Sequence, residues 1–171
     1  RLSTERERIA GLVKDGEVVI NMFGGVGMFS LLAAKDTACT VYNIDLNPVA
    51  AQLCKENAQI NKLKGEVISL NGDATKVIDE QLSGKADRVL MLLPERSDEF
   101  LDSALNGLKN KGIIHYYSHM HADKKQDAPK LSEEHFMSVN KTNAEIITSR
   151  NVRPVGPRFY QTVVDVKISK K

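Results

Sequence analysis

Three short motifs, each placed directly after a predicted β-strand, could together bind a ligand that carries an adenosyl group. The first is the glycine turn at residues 24–27, Gly-Gly-Val-Gly, which leads from a strand into a helix. Glycines let the backbone approach a ligand, and a helix start offers amide N–H groups. Asp45, 20 residues after Gly25, can accept hydrogen bonds from both hydroxyls of a ribose. Asp73, which follows the next strand, can accept a hydrogen bond from the exocyclic amine of adenine.

Each motif also has an interpretation that needs no ligand. The glycine turn can be a tight connection, Asp45 can stabilise the positive end of the next helix, and Asp73 can cap a helix. The occurrence of all three in order at strand ends favours an adenosyl site. NAD is the main rival ligand, but the short chain leaves little room for a second substrate region. The tetrad Asp-Leu-Asn-Pro at 45–48 and the Gly-Asp pair at 72–73 also favour S-adenosylmethionine.

The elements that must position these motifs alternate between strand and helix. A capping-box pattern, Thr4-x-x-Glu7, predicts a first helix. Strands are predicted at 17–22, 40–45, 66–70, 88–93, 112–117, 145–149 and 159–168, with helices at 26–35, 48–62, 75–81, 97–109 and 131–140. Regular alternation predicts an α/β fold with a doubly wound, mostly parallel seven-stranded sheet and a terminal antiparallel hairpin. This Rossmann-like architecture is that of class I S-adenosylmethionine-dependent methyltransferases.

Composition limits the possible function classes. The 171 residues fit one domain, and 24 basic against 22 acidic residues give a net charge of +2, too little for a surface that grips nucleic acid everywhere. Aromatic residues make up 5%, which argues against a base-stacking platform. The chain has no long apolar run, no signal-peptide pattern opens it, and its two cysteines are too few for a disulfide framework. We therefore expect a cytoplasmic protein with no membrane contact.

Four segments together resemble the archaeal and eukaryotic tRNA (guanine-37 N1)-methyltransferase family, whose relatives act in wyosine biosynthesis. They are residues 1–6 (Arg-Leu-Ser-Thr-Glu-Arg), the glycine turn with its flanks at 22–30, the tetrad at 45–48, and Gly-Ile-Ile-His-Tyr-Tyr at 112–117. The resemblance implies S-adenosyl-L-methionine as cofactor and the tRNA anticodon loop as partner. It also implies that residues 1–171 are a single catalytic domain, monomeric and free of metal, without the N-terminal tRNA-recognition domains of the family.

The resemblance also assigns roles to residues. Methylation at N1 of guanine needs a general base, because N1 carries a proton, and a donor for the charge that moves to O6. Glu5 matches the base and Arg1 the nearby arginine, although a pair at this spacing is also a common surface ion pair. The expected cofactor-binding residues lie at the strand ends: Asn21, Phe23, Gly24, Gly25, Gly27, Asp45, Leu46, Asn47, Asp73, Ala74, Leu92 and Pro94.

Three arginines flank the loop between the last two strands. Strand six should run parallel to the first five, so its end lies on the ligand side of the sheet. Arg150, Arg153 and Arg158 are therefore expected to bind tRNA phosphates, and the alternative is a solvated basic loop. His115, His119 and His121 lie nearby, but their spacing fits no standard metal site, and no metal is expected.

Two positions depart from the family pattern. Asn21 replaces an acidic residue, which should weaken contact with the ammonium group of the cofactor or with the turn. Leu92 replaces the Asn of an Asn-Leu-Pro motif that is associated with placing the target guanine. These departures keep two alternatives open: a wyosine-pathway aminocarboxypropyl or methyl transferase acting on the same nucleotide, and a non-catalytic paralogue that binds an adenosyl ligand.

Overall fold

Strands and helices alternate through most of the computed structural model, which describes residues 2–170. The strands are β1 (Val18–Asn21), β2 (Thr40–Asp45), β3 (Glu66–Asn71), β4 (Ala86–Met91), β5 (Leu108–His121), β6 (Asn143–Gly156) and β7 (Phe159–Ser169). The helices are α1 (Leu2–Leu12), α2 (Met28–Lys35), α3 (Pro48–Ile60), α4 (Ala74–Val77), α5 (Ser97–Gly107) and α6 (Ala128–Val139). A π-helical turn (Ile78–Leu82) extends α4, and a 3-10 turn (Lys125–Asp127) precedes α6.

The seven strands form one sheet in the order β3-β2-β1-β4-β5-β7-β6. The first five strands are parallel, and β7 runs antiparallel to both β5 and β6. Because β6 is antiparallel to β7, it points the same way as β1–β5, as predicted. The doubly wound class with a terminal hairpin is confirmed. The strand order reverses between β1 and β4, and ligands of such sheets bind at the carboxyl ends of the strands beside that reversal.

Apolar side chains of alternating strand residues build two cores, one on each face of the sheet. On one face, Val19 and Leu90 pack with Ile9 of α1 and Phe29 of α2. On the other face, α4, α5 and α6 cover the larger cluster, whose buried members include Ile20, Met91, Tyr116, Phe136 and Val166. No helix within residues 2–170 is both long and apolar enough to cross a membrane.

Several predicted boundaries are wrong, for identifiable reasons. The capping box is incorrect, because α1 already begins at Leu2 and Thr4 lies inside the helix. The second helix begins at Met28 rather than at 26, since Gly27 has a left-handed φ of 94°. β5 and β6 are much longer than predicted, at 14 residues each. Both are extended by pairing with β7, a contact between distant segments that local sequence patterns do not reveal.

Candidate functional site

The glycine turn packs closely against the end of β2. The Gly24 amide donates to the Ile44 carbonyl at 2.9 Å, and the Gly25 amide donates to Asp45 Oδ2 at 2.8 Å. Gly25 and Gly27 have positive φ angles of 57° and 94°, which only glycine adopts without strain. A Cβ on Gly24 would overlap the side chain of Asn43. Gly24 is therefore restricted to glycine by steric contact, and Gly25 and Gly27 are restricted by their backbone conformation.

Asp45 is the link between the turn and the next helix. One carboxylate oxygen accepts from Gly25 N, and the other accepts from the backbone amide of Asn47 at 2.9 Å. Each carboxylate oxygen has two acceptor sites, so both oxygens can accept one further hydrogen bond. The side chain is partly exposed. The Asp45 carboxylate therefore keeps capacity for two further hydrogen bonds.

The neighbouring predicted residues lie along the same edge of the sheet. Asn47 caps α3 by accepting from Val49 N at 2.9 Å, and Asp73 caps α4 by accepting from Lys76 N at 3.0 Å. The helix-capping interpretation of Asp73 therefore holds, and it leaves the adenine contact of Asp73 as a prediction. Leu46 is 72% exposed, so it offers apolar surface beside Asp45. Ala74 is buried at the start of α4.

Asn21 does not reach the surface, contrary to the expected direct contact with a cofactor. Its side chain is fully buried, and its Nδ2 donates to Ser30 Oγ at 3.1 Å and to Asn43 Oδ1 at 3.4 Å. Ser30 Oγ in turn donates to Asn43 Oδ1 at 2.7 Å, and Asn43 Nδ2 donates to the Gly25 carbonyl at 3.2 Å. Asn21 therefore supports the glycine turn indirectly, through Asn43. The sequence analysis missed Ser30 and Asn43, whose roles depend on pairing between β1 and β2.

Aromatic and apolar side chains line the other side of the strand reversal. Phe23 packs edge-on against Phe100 with ring centroids 4.9 Å apart, and both rings are partly buried. Pro94 is partly buried at the end of β4. Leu92 is partly buried and packs against the core cluster that α1 and α2 cover. The Leu92 substitution therefore replaces a hydrogen-bonding group with core packing beside α1.

Glu5 lies on α1 and is almost completely enclosed by hydrogen-bond donors. Its side chain is 2% exposed. Arg8 donates to Glu5 through Nε at 3.0 Å and Nη2 at 2.7 Å, and the Tyr117 hydroxyl donates to Glu5 Oε2 at 2.6 Å. Burial and the neighbouring Glu5 carboxylate raise the pKa of Tyr117 well above its ordinary value, so this hydroxyl stays a donor. Arg1, the expected partner of Glu5, lies outside the described residues.

The interaction continues from Arg8 across the sheet as a buried chain of hydrogen bonds. Arg8 Nη1 donates to Asp165 Oδ2 at 2.6 Å, His115 Nδ1 lies 2.7 Å from Asp165 Oδ1, and Arg88 Nη1 lies 2.8 Å from His115 Nε2. Arg88 also donates to both carboxylate oxygens of Glu17. Arg88 can only donate, so His115 accepts at Nε2 and donates from Nδ1 to Asp165. His115 is therefore neutral in this chain.

The pKa values of His115 and Asp165 agree with a neutral His115. Burial lowers the pKa of His115 below its ordinary 6.5, and Arg88 and Arg8 add to this effect against the opposing pull of Asp165. Burial alone would raise the pKa of Asp165, but hydrogen bonds from His115 and Arg8 outweigh it and lower the pKa to about 2. Apart from Glu5, the sequence analysis missed this group of residues, in which only Glu5 and Arg8 are close in sequence. The other partners are brought together only by the sheet.

The three predicted arginines lie on the exposed end of the β6–β7 hairpin. Arg150 and Arg153 are exposed on β6, and Arg153 Nε donates to Gln161 Oε1 at 2.9 Å. Arg158, in the turn, has a φ of 52° and lies 3.6 Å from Asp123. β5 extends beyond its last pair with β4, so this hairpin rises above the edge that carries the glycine turn.

Two of the cavities near these groups border α1 and the end of β4, and neither has Asp45 in its lining. The larger, about 640 Å³, lies between α1, α2 and the end of α3 and is lined by Arg6, Met28 and Leu31 among others. The smaller, about 400 Å³, lies beyond the end of β4 and is lined by residues including Pro94, Asp98 and His119. Among residues 2–170 there is no cluster of His, Cys, Asp or Glu suited to a metal ion.

The chain is an α/β protein of the class I methyltransferase type. Its parallel sheet, its glycine turn and Asp45 at the end of β2 define this class. The model of the TRM5/TYW2 methyltransferase domain matches residues 1–147, and the chain belongs to this family. The chain is 38% identical over 172 residues to tRNA (guanine(37)-N(1))-methyltransferase Trm5b of Methanocaldococcus jannaschii, covering 100% of this chain and 46% of the relative. It is 39% identical to tRNA 4-demethylwyosine(37)-methyltransferase Taw21 of Saccharolobus solfataricus, covering 98% of this chain and 60% of the relative.

Solved structures show the same fold. M. jannaschii TYW2 in complex with AdoMet superposes with a TM-score of 0.80 at 29% identity, covering 99% of this chain and 76% of the other. The complex of aTrm5 with tRNALeu superposes with a TM-score of 0.81 at 33% identity, covering 98% of this chain and 46% of the other. The chain thus spans about half the length of the curated relatives named above.

Proposed function

We propose that the chain is the catalytic domain of an S-adenosylmethionine-dependent methyltransferase that acts on N1 of guanine 37 in tRNA. The observation that carries the proposal is the Asp45 carboxylate, which fixes the glycine turn at the strand reversal and keeps acceptor capacity on both oxygens. Membership of the TRM5/TYW2 family supports it. We propose that residues 1–171 act as one monomeric domain without a metal.

The donor and acceptor groups at the sheet edge fit S-adenosylmethionine. Asp45 would accept from the two ribose hydroxyls, and the exposed side chain of Leu46 would cover the purine ring. Asp73, exposed at the start of α4, would accept from the adenine amine. Gly24, Gly25 and Gly27 would give the ligand access to the backbone. The bound cofactor supplies an electrophilic methyl group on a positively charged sulfur.

We propose that Glu5 is the general base that removes the N1 proton of guanine. Arg8 and Tyr117 hold its carboxylate in one orientation, and both of its oxygens accept hydrogen bonds from them. Oε1 accepts from Arg8 alone and keeps one acceptor site for the proton of guanine, but the side chain is only 2% exposed, so guanine reaches it only when the surrounding groups move. Arg1 is proposed to assist near O6. Phosphate contacts are assigned to Arg150, Arg153 and Arg158 on the raised hairpin.

A wyosine-pathway transferase on the same nucleotide is the second candidate. Leu92 favours it, because its apolar side chain packs into the core where the family motif has an amide that places guanine. The similarity to a 4-demethylwyosine methyltransferase, at 39% identity, supports the same alternative.

The experiment that tests the proposal is methyl transfer to tRNA, with the product nucleoside identified by mass. The substrates are two transcripts that differ only in guanine or adenine at position 37. We expect 1-methylguanosine from the guanine transcript and no product from the adenine transcript. A 4-demethylwyosine-containing tRNA tests the second candidate, whose product would be a modified wyosine base. Transfer to neither substrate by folded protein that binds the cofactor would contradict both candidates.

A further inference from the structure

The exposed end of the β5–β7 pair carries a cluster of three rings that the proposed mechanism does not use. The His121 and Phe159 rings are stacked, with centroids 4.1 Å apart and planes inclined by 22°. His119 meets Phe159 edge-on at 5.2 Å. His121 is exposed, and the other two rings are partly exposed. We call His119, His121 and Phe159 the ring cluster.

The sheet register places the ring cluster on the same face as the Glu5 contact. Tyr117, His119 and His121 alternate along β5, and alternate residues of a strand point to one face. His119 pairs with Gln161 and His121 with Phe159, so these partners share that face. Tyr117 contacts Glu5 by its hydroxyl. The ring cluster therefore lies on the strand that leads away from the proposed base, about 13 Å along it at His121.

Positive charge borders the ring cluster. Arg153, which is exposed, pairs with Gln161 across β6 and β7 and bonds to its side chain. Arg150 is exposed on the same strand, and Arg158 lies in the adjoining turn. Two acidic residues are close as well. Asp123 forms an ion pair with Arg158, and the charge of Glu95 partly offsets the lowering of the His119 pKa by burial. Arginines outnumber acids here, and rings beside arginines are the features that hold unpaired nucleobases and their phosphates.

We infer that the ring cluster is a stacking site for an unpaired nucleobase of the RNA strand, one that neighbours the target base. Stacking on an aromatic face tolerates any base, so the site would hold the strand without selecting its sequence. Arg153 and Arg150 would bind the adjoining phosphates. The inference rests on the proposed function, because it requires an RNA substrate. It departs from the expectation, based on the low aromatic content, that the chain lacks a stacking platform, since these rings are concentrated at one edge.

The test uses a synthetic anticodon stem-loop RNA in which 2-aminopurine replaces the nucleotide on the 5′ or the 3′ side of the target guanine. Quenching of the 2-aminopurine fluorescence reports stacking, and anisotropy gives the Kd. The variants are His121→Leu and Phe159→Leu, which keep apolar volume and remove the ring. Tyr160→Leu is the matched control, because Tyr160 is the next residue along β7 and points to the opposite face.

We expect quenching of one of the two probes by the wild-type chain. Each ring variant should lose the quenching and bind about 5- to 150-fold more weakly, whereas Tyr160→Leu should behave as wild type. If the wild-type chain binds the RNA and methylates guanine but the ring variants are unchanged, the stacking site is wrong and the proposed function stands. If folded wild-type chain that binds S-adenosylmethionine does not bind the RNA, both are contradicted. Thermal unfolding of each variant shows whether a loss of binding reflects a loss of folding.

Discussion

Replacing Tyr117 with Phe removes one hydroxyl from the buried chain that holds Glu5 and leaves the ring in place. The Tyr117 side chain is fully buried, and its hydroxyl donates to Glu5 Oε2 at 2.6 Å. A hydrogen bond to a charged partner contributes about 1.5–3 kcal/mol to stability. We expect the free energy of unfolding of Tyr117→Phe to fall by about this amount, and the Tm to fall by roughly 3–12 °C for a domain of this size. Urea unfolding with an unchanged m value measures the difference.

Tyr116→Phe is the matched control for this prediction. Tyr116 is the preceding residue of β5 and is also fully buried, but its hydroxyl contacts Asp98, whose side chain is 51% exposed. Water can replace a partner at an exposed site, so we expect a loss below about 1 kcal/mol for this variant. Equal losses in the two variants would refute the argument that the Glu5 chain is a buried, charge-assisted network.

Further predictions concern the pH dependence of stability, two glycines and Glu5. Acidification should lower stability, because both His115 and Asp165 have lowered pKa values in the folded state. The contribution of His115 to stability declines as pH falls below about 6.5. The contribution of Asp165, about 2 kcal/mol, declines from about pH 4 towards pH 2. Urea unfolding across this pH range measures both. Gly27→Ala should destabilise the chain by about 1–3 kcal/mol, since its φ is 94° and its Cβ would lie 2.7 Å from a cysteine sulfur. Gly11→Ala, with nothing within 4 Å, should stabilise it by about 0.4–1 kcal/mol in the same assay. Glu5→Gln should lower kcat for methyl transfer by about 10²- to 10⁴-fold, with the Kd for S-adenosylmethionine unchanged by calorimetry.

Local sequence patterns predicted the parts of the fold that depend on neighbouring residues. The alternation of strands and helices, the cap at Asp73 and the position of Asp45 at the end of β2 were correct because each is encoded within a few residues. The predicted length of β5 was wrong, since most of its last residues are polar and become a strand only by pairing with β7.

The site depends on contacts that no local pattern contains. Glu5 and Asp165 are joined through Arg8 although Arg8 and Asp165 are 157 residues apart. Asn21 was expected at the cofactor, but pairing of β1 with β2 buries it against Asn43. Burial and cross-sheet partners are properties of the tertiary structure, so the sequence alone could indicate the type of site but not its internal support.

The most direct test of the central claim is calorimetric titration of the folded chain with S-adenosylmethionine, with NAD as the rival ligand. We expect saturable binding of S-adenosylmethionine and none of NAD. Asp45→Asn should weaken that binding at least about 10-fold, because the loss of a charge-assisted hydrogen bond to a ribose hydroxyl costs about 1.5–3 kcal/mol. Asp36→Asn, at the exposed end of α2, should bind as wild type. No binding of S-adenosylmethionine by the folded wild-type chain, or an unchanged affinity in Asp45→Asn, would contradict the assignment of the glycine turn and Asp45 as the cofactor site.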